Sequence, residues 1–345
     1  MRNWYEQDAC DPGIIVGGQV CLVRNLSGFP FTDKMTHEQR EQLSDLVRRA
    51  ILIEESSLQM HFTYIPLSGE ARSNLGSLIC TLAIPPNMIG DTNEEQGLLL
   101  SEDESVSILV GGCEHLCIQV SCAGKQIRHA LVTANRVDDA INRHFAYAFS
   151  HKYGYLTANP LFTGTGLQVS YLLHLHYLEK RRKIAKIEKE FSQYGFSLRQ
   201  HFGGEGEAPG CIYRIKNRKT LGLSEAEILS ALEFLAGSLM QSENSTYMQR
   251  SFDEEQKDLD QMYRAYGLLR YARELDCEEA QNYLSFLRLA DRYQIWGEEI
   301  LSGRFSTMVR IQDAVLLHRA DDSQTETGRL RAEFVRSILP DISET

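Results

Sequence analysis

Three things are scarce in this 345-residue chain, and each scarcity closes off a class of protein. Long apolar runs come first: no stretch approaches the ~18 uninterrupted apolar residues that a membrane-spanning helix requires. Near the start stand Glu6 and Asp8, where a secretory leader has positive charge followed by an apolar run, so the expectation is a cytoplasmic protein without a membrane partner. Positive charge is second. With 36 Lys and Arg against 47 Asp and Glu, the formal net charge is −11, which argues against general nucleic-acid affinity because polyanion binding relies on Lys and Arg displacing counterions. Third is paired cysteine spacing. The eight cysteines, Cys10, Cys21, Cys80, Cys113, Cys117, Cys122, Cys211 and Cys277, are scattered without any C-x-x-C, and in a reducing compartment they read as free thiols. Internal repeats and low-complexity segments are also missing.

What is present is globular: 43% hydrophobic and 24% charged residues, in a chain longer than a single core usually supports. The fold class expected is α+β, with a mixed domain over 1–245 and a helical one over 246–345. Ile14 to Val23 reads as a strand. Thr36 with Gln39 forms a capping box for a helix over 36–54. Strands follow at 58–66, 97–101, 105–111 and 115–122, the last two forming a hairpin through Gly111-Gly112. Asn135 to Phe149 and Gln168 to Leu178 read as helices, Ile184 to Ile187, Phe196 to Leu198 and Cys211 to Ile215 as strands. Ser224 with Glu227 caps a helix reaching about 242. Beyond it, Glu254–Leu275, Glu278–Tyr293 and Arg304–His318 are helical with no strand between them.

One stretch stands out, Gly154-Tyr155-Leu156-Thr157-Ala158-Asn159-Pro160-Leu161-Phe162-Thr163-Gly164-Thr165-Gly166. Feeding a helix, such a glycine-punctuated turn often makes a phosphate site, because backbone N–H groups there face the anion. Taken alone, such a stretch is more often an ordinary connection between elements.

Several stretches together resemble the bacterial protein arginine kinases, members of the ATP:guanido phosphotransferase family that includes creatine and arginine kinases. They are Val23-Arg24-Asn25-Leu26 with Phe29-Pro30-Phe31, Ser101 to Ile108, His115-Leu116 with Ile118-Gln119, Gly154-Tyr155-Leu156-Thr157, Gly164-Thr165-Gly166, Leu173-His174-Leu175, Thr220 to Glu225, and Arg264-Ala265-Tyr266-Gly267. They fall in the family's order along nearly the whole chain. The resemblance implies an antiparallel sheet flanked by helices and then a small helical domain. In active relatives arginines grip the ATP phosphates, carboxylates orient or deprotonate the guanidinium, and a cysteine assists. Phosphoryl transfer is mostly positioning and electrostatics, so the clamp carries much of the mechanism.

Carried over residue by residue, the resemblance implies a disarmed kinase. Gln19, Cys21, Cys117 and Gln168 stand where the family has clamp arginines, and Arg199 alone is retained. Cys113 occupies the catalytic glutamate position, while Glu114 keeps the neighbouring carboxylate. Asn159 replaces the reactive cysteine, and Thr81 the adenine-side histidine. Gly204 falls at the substrate-loop glutamate, with Glu205 one residue away and Glu207 retained. In the helical domain, Asp260-Gln261-Met262-Tyr263-Arg264 matches the phosphoarginine-binding motif, with Asp260 where a cation belongs.

The favoured expectation is a pseudokinase that acts by binding a protein, an active paralogue or quality-control machinery, as a homo- or hetero-oligomer, with contacts near Tyr263 and Tyr266. No cofactor is then expected. ATP and Mg are expected only under the alternative of retained phosphotransfer through Arg199, Glu114, Glu205 or Glu207. A nucleotide or metabolite sensor is the third reading. Cys113, His115 and Cys117 alternate along one expected strand and, with Cys21, present a metal-like donor set, but small thiols filling vacated space are the plainer reading and no metal is expected. The run Lys180-Arg181-Arg182-Lys183 is a solvated turn face or a dock for an acidic partner.

Overall fold

The computed structural model describes residues 2–7, 13–67, 74–90, 95–203, 209–297, 305–320 (side chains to 318) and 326–340. In chain order its elements are β1 (Ile15–Arg24), α1 (His37–Leu58), β2 (Phe62–Pro66), α2 (Leu75–Cys80), β3 (Gly97–Ser101), β4 (Val106–Val110), β5 (Leu116–Ala123), α3 (Ile127–Asn142), β6 (Phe149–Ser150) and β7 (Gly154–Tyr155). Then come β8 (Leu167–His174), α4 (His176–Lys180), α5 (Ile184–Gln193), β9 (Phe196–Gln200), β10 (Ile212–Asn217), α6 (Glu225–Met248), α7 (Phe252–Tyr271), α8 (Cys277–Arg292), α9 (Phe305–Arg310), α10 (Asp313–Ala320) and α11 (Thr327–Ile338). None of these helices is long and apolar enough to cross a membrane.

Eight strands form one antiparallel sheet in the order β2-β3-β4-β5-β1-β8-β10-β9. Its two faces differ because strand side chains alternate. Val20, Leu22, Ile118, Val120, Val169, Tyr171, Tyr213 and Ile215 point to one side, where α1, α3 and α6 cover them with Leu43, Val47, Ile51, Val137, Ile141, Leu232 and Leu239. On the other side Gln19, Cys21, Gln119, Ser121, Gln168, Ser170, Arg214 and Lys216 share a face through the β5-β1-β8-β10 register, in which Gln19 lies opposite both Ser121 and Ser170, and Ser170 opposite Lys216. The helical segment packs against the ends of this second face. Ala265, Leu269, Leu284 and Val309 share a core with Trp4, Val16, Leu172 and Ile212. The expected boundary between 245 and 246 falls inside α6, and α7 is the first helix wholly beyond it.

Both capping boxes form: Thr36 accepts from the Gln39 N–H at 3.3 Å, and Ser224 from that of Glu227 at 3.2 Å. Four expectations need correction. Gln168 to Leu178 is not a helix; most of it is β8, a central strand whose Leu167, Val169, Tyr171 and Leu173 alternate into the helix-covered core. Leu172 and Leu175 interrupt that alternation, and the expected window runs past the strand into α4, where Tyr177 and Leu178 complete an apolar spacing that periodicity does not separate from a helix. The loop before it therefore feeds a strand, and the helix-N-terminus reading of a phosphate site does not apply. Ile184 to Ile187 is the start of α5 rather than a strand, with Ile184, Ile187 and Phe191 on one helical stripe. Third, α3 begins at Ile127, two turns before Asn135, and Phe149 lies in β6. Lastly, Arg304–His318 divides into α9 and α10.

Candidate active site

The polar face of the sheet is the floor of a cavity of about 320 Å³ lined by Gln19, Cys21, Gln119, Gln168, Ser170, Ser197, Arg199, His201, Arg214 and Lys216, with Ile79, Leu82, Ile84 and Pro85–Asn87 opposite them. Four of the positions read from the sequence, Gln19, Cys21, Gln168 and Arg199, thus meet in one place. The two glutamines of the β1–β5 pair are tied down: Gln19 Nε2 donates to the Leu82 carbonyl at 3.2 Å and to Ser121 Oγ at 3.0 Å, and Gln119 Nε2 also donates to Leu82. Gln19 Oε1 accepts from Arg214 Nη1 at 2.6 Å. Gln19 therefore spends both ends of its amide on protein.

Behind the floor, Cys21 and Cys117 bring their sulfurs to 2.6 Å, and the seven described cysteines are free thiols. The neighbouring Cys21 thiol, then burial, push the Cys117 thiol well above its ordinary range, so it stays neutral. Cys113 sits in the β4–β5 turn, not on a strand, and its thiol donates to the Ile89 carbonyl at 3.2 Å. Burial raises it as well, so it is no base at neutral pH. His115 is in the same turn with both ring nitrogens engaged: Nδ1 accepts from the Leu26 N–H at 3.0 Å and Nε2 meets the Pro30 carbonyl at 2.7 Å. The expected alternation of Cys113, His115 and Cys117 on one strand is therefore corrected, and the ring of His115 is committed away from the thiols. The described carboxylate and imidazole cluster with ligand-like spacing is instead His37, Glu41 and Glu95, away from this cavity.

Glu114 has a different use from the one its position implies. Its carboxylate accepts from Asn25 Nδ2 at 2.6 Å, the Ala158 N–H at 2.9 Å and the Asn159 N–H at 2.8 Å. With 2% exposure it is a buried staple holding the glycine-punctuated loop to the β4–β5 turn. Asn159 in turn accepts from the Leu161 N–H at 3.1 Å and caps the short turn after Pro160. Replacing Glu114 with Gln puts an amide N–H against a backbone donor. Hydrogen bonds to a charged group are each worth about 1.5–3 kcal/mol. Urea unfolding is expected to show a loss of about 2–3 kcal/mol, with faster hydrogen exchange at Ala158 and Asn159. A base standing free in the cleft predicts no such change.

The loop's glycines serve backbone packing. Tyr155 and Gly164 pair across it, N–H to carbonyl at 2.8 and 3.1 Å, and Gly154 at φ +78° has no room for a Cβ beside the Gly164 carbonyl. Thr220 fastens the far side, its hydroxyl lying 2.7 Å from the Thr163 carbonyl. The Thr81 hydroxyl donates to the Leu78 carbonyl at 3.3 Å.

Arg199, the retained clamp arginine, sits at the cavity rim, 71% exposed and paired with Glu188 at 2.8 Å. Gly204, Glu205 and Glu207 lie outside the described residues. On α7, Asp260 and Arg264 pair with each other at 2.7 Å on the exposed surface, with Gln261 beside them, so the arginine is neutralised by the acid where a cation was expected. Tyr266 is buried and its hydroxyl donates to the Pro340 carbonyl, which corrects its reading as a contact residue; Tyr263 remains exposed. The basic run docks within the molecule: Lys180 pairs with Asp258 and Arg181 with Glu254, both on α7.

Sequence reasoning missed Gln119, Ser170, His201, Arg214 and Lys216. The signal for the last two was available, since residues two apart on Ile212–Asn217 share a face.

Residues 42–246 match the family described as ATP:guanido phosphotransferase, C-terminal catalytic domain, and residues 255–345 the Protein-arginine kinase McsB C-terminal domain. A protein-arginine kinase of Pelotomaculum thermopropionicum is 32% identical over 96% of this chain and 95% of its own length. One from Desulforamulus reducens is 33% identical over 99% and 96%. Among solved structures, lombricine kinase superposes with a TM-score of 0.60 at 20% identity, covering 72% of this chain and 71% of its own. The duplicated taurocyamine kinase of Schistosoma mansoni gives 0.59 at 19%, covering 70% of this chain and 35% of that longer one.

Proposed function

This chain belongs to the ATP:guanido phosphotransferase family and carries a protein-arginine kinase C-terminal domain; from that premise we propose that it is a member without phosphotransfer, acting in the cytoplasm as a regulatory or scaffolding partner of an active arginine kinase or of protein quality-control machinery. The observation that carries the reading is the set of side chains at the positions matched to clamp arginines. Gln19, Cys21 and Gln168 line the cavity and Cys117 lies against Cys21, so none brings a positive charge to a polyphosphate. Losing one transition-state donor typically lowers rate by roughly 10²–10³, and these positions lose four charged ones. Cys113 and Asn159 remove the base and the ionisable thiol.

Bound magnesium usually takes one or two carboxylates besides the phosphates. Among the described lining residues there is none, so those residues do not supply the carboxylates that magnesium takes alongside ATP. The relatives' names favour the second reading, retained arginine phosphotransfer, for which Arg199, Glu205 and Glu207 are the remaining groups.

The test is to mix the purified chain with an active protein-arginine kinase. Co-elution on size exclusion and a changed phosphoarginine yield from that kinase are expected. Independent elution with unchanged yield overturns the partnership with an active kinase.

A further inference from the structure

The cavity that lacks the family's clamp is not without charge. Arg214 and Lys216 stand two residues apart on β10, roughly 7 Å along the strand, and both side chains enter the cavity. Arg214 has only neutral partners among the described residues, Gln19 Oε1 at 2.6 Å and His201 Nδ1 at 3.5 Å. Burial lowers its guanidinium to about 10, the mark of a cation held away from both water and carboxylate. Lys216 is pushed down by burial and then by Arg214, and among the described residues its ammonium has neither a hydrogen bond nor an ion pair. On β9, Arg199 lies directly opposite Arg214, its own charge met by Glu188 at 2.8 Å. His201 adds a buried Nε2 with no hydrogen-bond partner. No described lining residue is an acid. An unpaired buried cation is costly, and a fold keeps one where something anionic meets it.

We propose that this cavity binds a phosphate dianion, free or as the monoester of a small molecule, between Arg214 and Lys216. A phosphate monoester carries about −1.5 to −2 at neutral pH, which two cations balance. Gln168 and Ser170, on the adjoining strand, offer neutral polar groups to the rest of a monoester, and the cavity's 320 Å³ lies at the small end of the ~300–1,000 Å³ range of ligand sites. The site is displaced from the matched clamp positions on β1, β5 and β8 to β10, and it stands independently of whether the chain finds a protein partner.

Calorimetric titration of the full chain with inorganic phosphate, AMP and Mg-ATP tests it. Submillimolar binding of AMP or phosphate, weakened by added salt, is expected. AMP binding more tightly than phosphate assigns a monoester, and equal binding assigns the free ion. Lys216→Gln, at a side chain without a described partner, is expected to weaken binding at least tenfold with the thermal transition unchanged, and Lys216→Arg to restore it. Silence with both probes, equal affinity in Lys216→Gln, or Mg-ATP binding tenfold tighter than AMP overturns the proposal.

Discussion

Arg24→Ala is expected to cost about 3–5 kcal/mol of stability, the range found when one partner of a buried ion pair is removed. Arg24 is 1% exposed. Its Nε and Nη2 reach both oxygens of Asp138 on α3 at 2.9–3.1 Å, and its Nη1 donates to the Val23 and Thr165 carbonyls at 2.9 and 3.0 Å. The guanidinium also stacks 3.6 Å from the Tyr155 ring centroid. One side chain therefore joins β1, α3 and both ends of the loop from Gly154 to Gly166. Removal leaves Asp138 buried without its cation and frees the Thr165 carbonyl. Urea unfolding measures the loss, and the double variant Arg24→Ala/Asp138→Ala is expected to be more stable than the sum of the two single losses predicts. A cleft arginine that merely waits for a ligand predicts unchanged unfolding in Arg24→Ala.

Acid should weaken the fold by a similar amount. Burial lowers His174 well below its ordinary 6.5, reinforced by Arg292 and Arg288, and lowers His176 to about 3. His201 is lowered well below by burial and then Arg214. Arg292 donates to His174 Nδ1 at 2.7 Å, and His174 Nε2 and His176 Nδ1 meet Ser285 Oγ at 2.7 and 3.1 Å, tying β8 and α4 to α8. Protonating His174 sets a cation against a guanidinium. Because folded values lie below the unfolded one, the stabilisation is complete above 6.5 and is lost as pH falls beneath it, by about 1.4 kcal/mol per pH unit per group. Three groups together give a drop of about 3–4 kcal/mol between pH 7 and 5.5. Glu225 and Glu243, raised by burial, act in the opposite sense nearer the carboxylate range, so the comparison belongs above pH 5.5. Urea unfolding free energies that stay flat over this interval contradict the assignment.

How legible each part was depended on the range of the information required. Capping boxes at Thr36 and Ser224 are local, and both helices begin where those residues place them. The strands from Gly97 to Ala123 are short apolar runs closed by turn residues, and their hairpin partners are near in sequence. Leu167 to His174 misled because Leu172 breaks its alternation and the apolar residues continue through Leu175 into α4, so a window over strand and helix together looks helical. Ile184 to Ile187 misled in the opposite direction, being too short a window to separate a helical stripe from a strand. At the site, the positions matched to clamp arginines do converge, since the resemblance supplied their register. Glu114 was found but its use was not: the Ala158 and Asn159 amides that occupy it come from a loop whose path residue types do not reveal. Arg214 and Lys216 carried no motif and became meaningful only when β10 was seen to lie two strands from Gln19.

Whether the chain moves phosphate decides between a pseudokinase and a kinase. The direct measurement is phosphoarginine formed by the purified chain alone, at enzyme in excess over an arginine-rich protein substrate with saturating Mg-ATP, read by mass spectrometry beside an active protein-arginine kinase. No phosphoarginine above the no-enzyme background is predicted, over times in which the active kinase completes its turnover. Phosphoarginine accumulating with the chain alone, and abolished by Arg199→Ala, contradicts it.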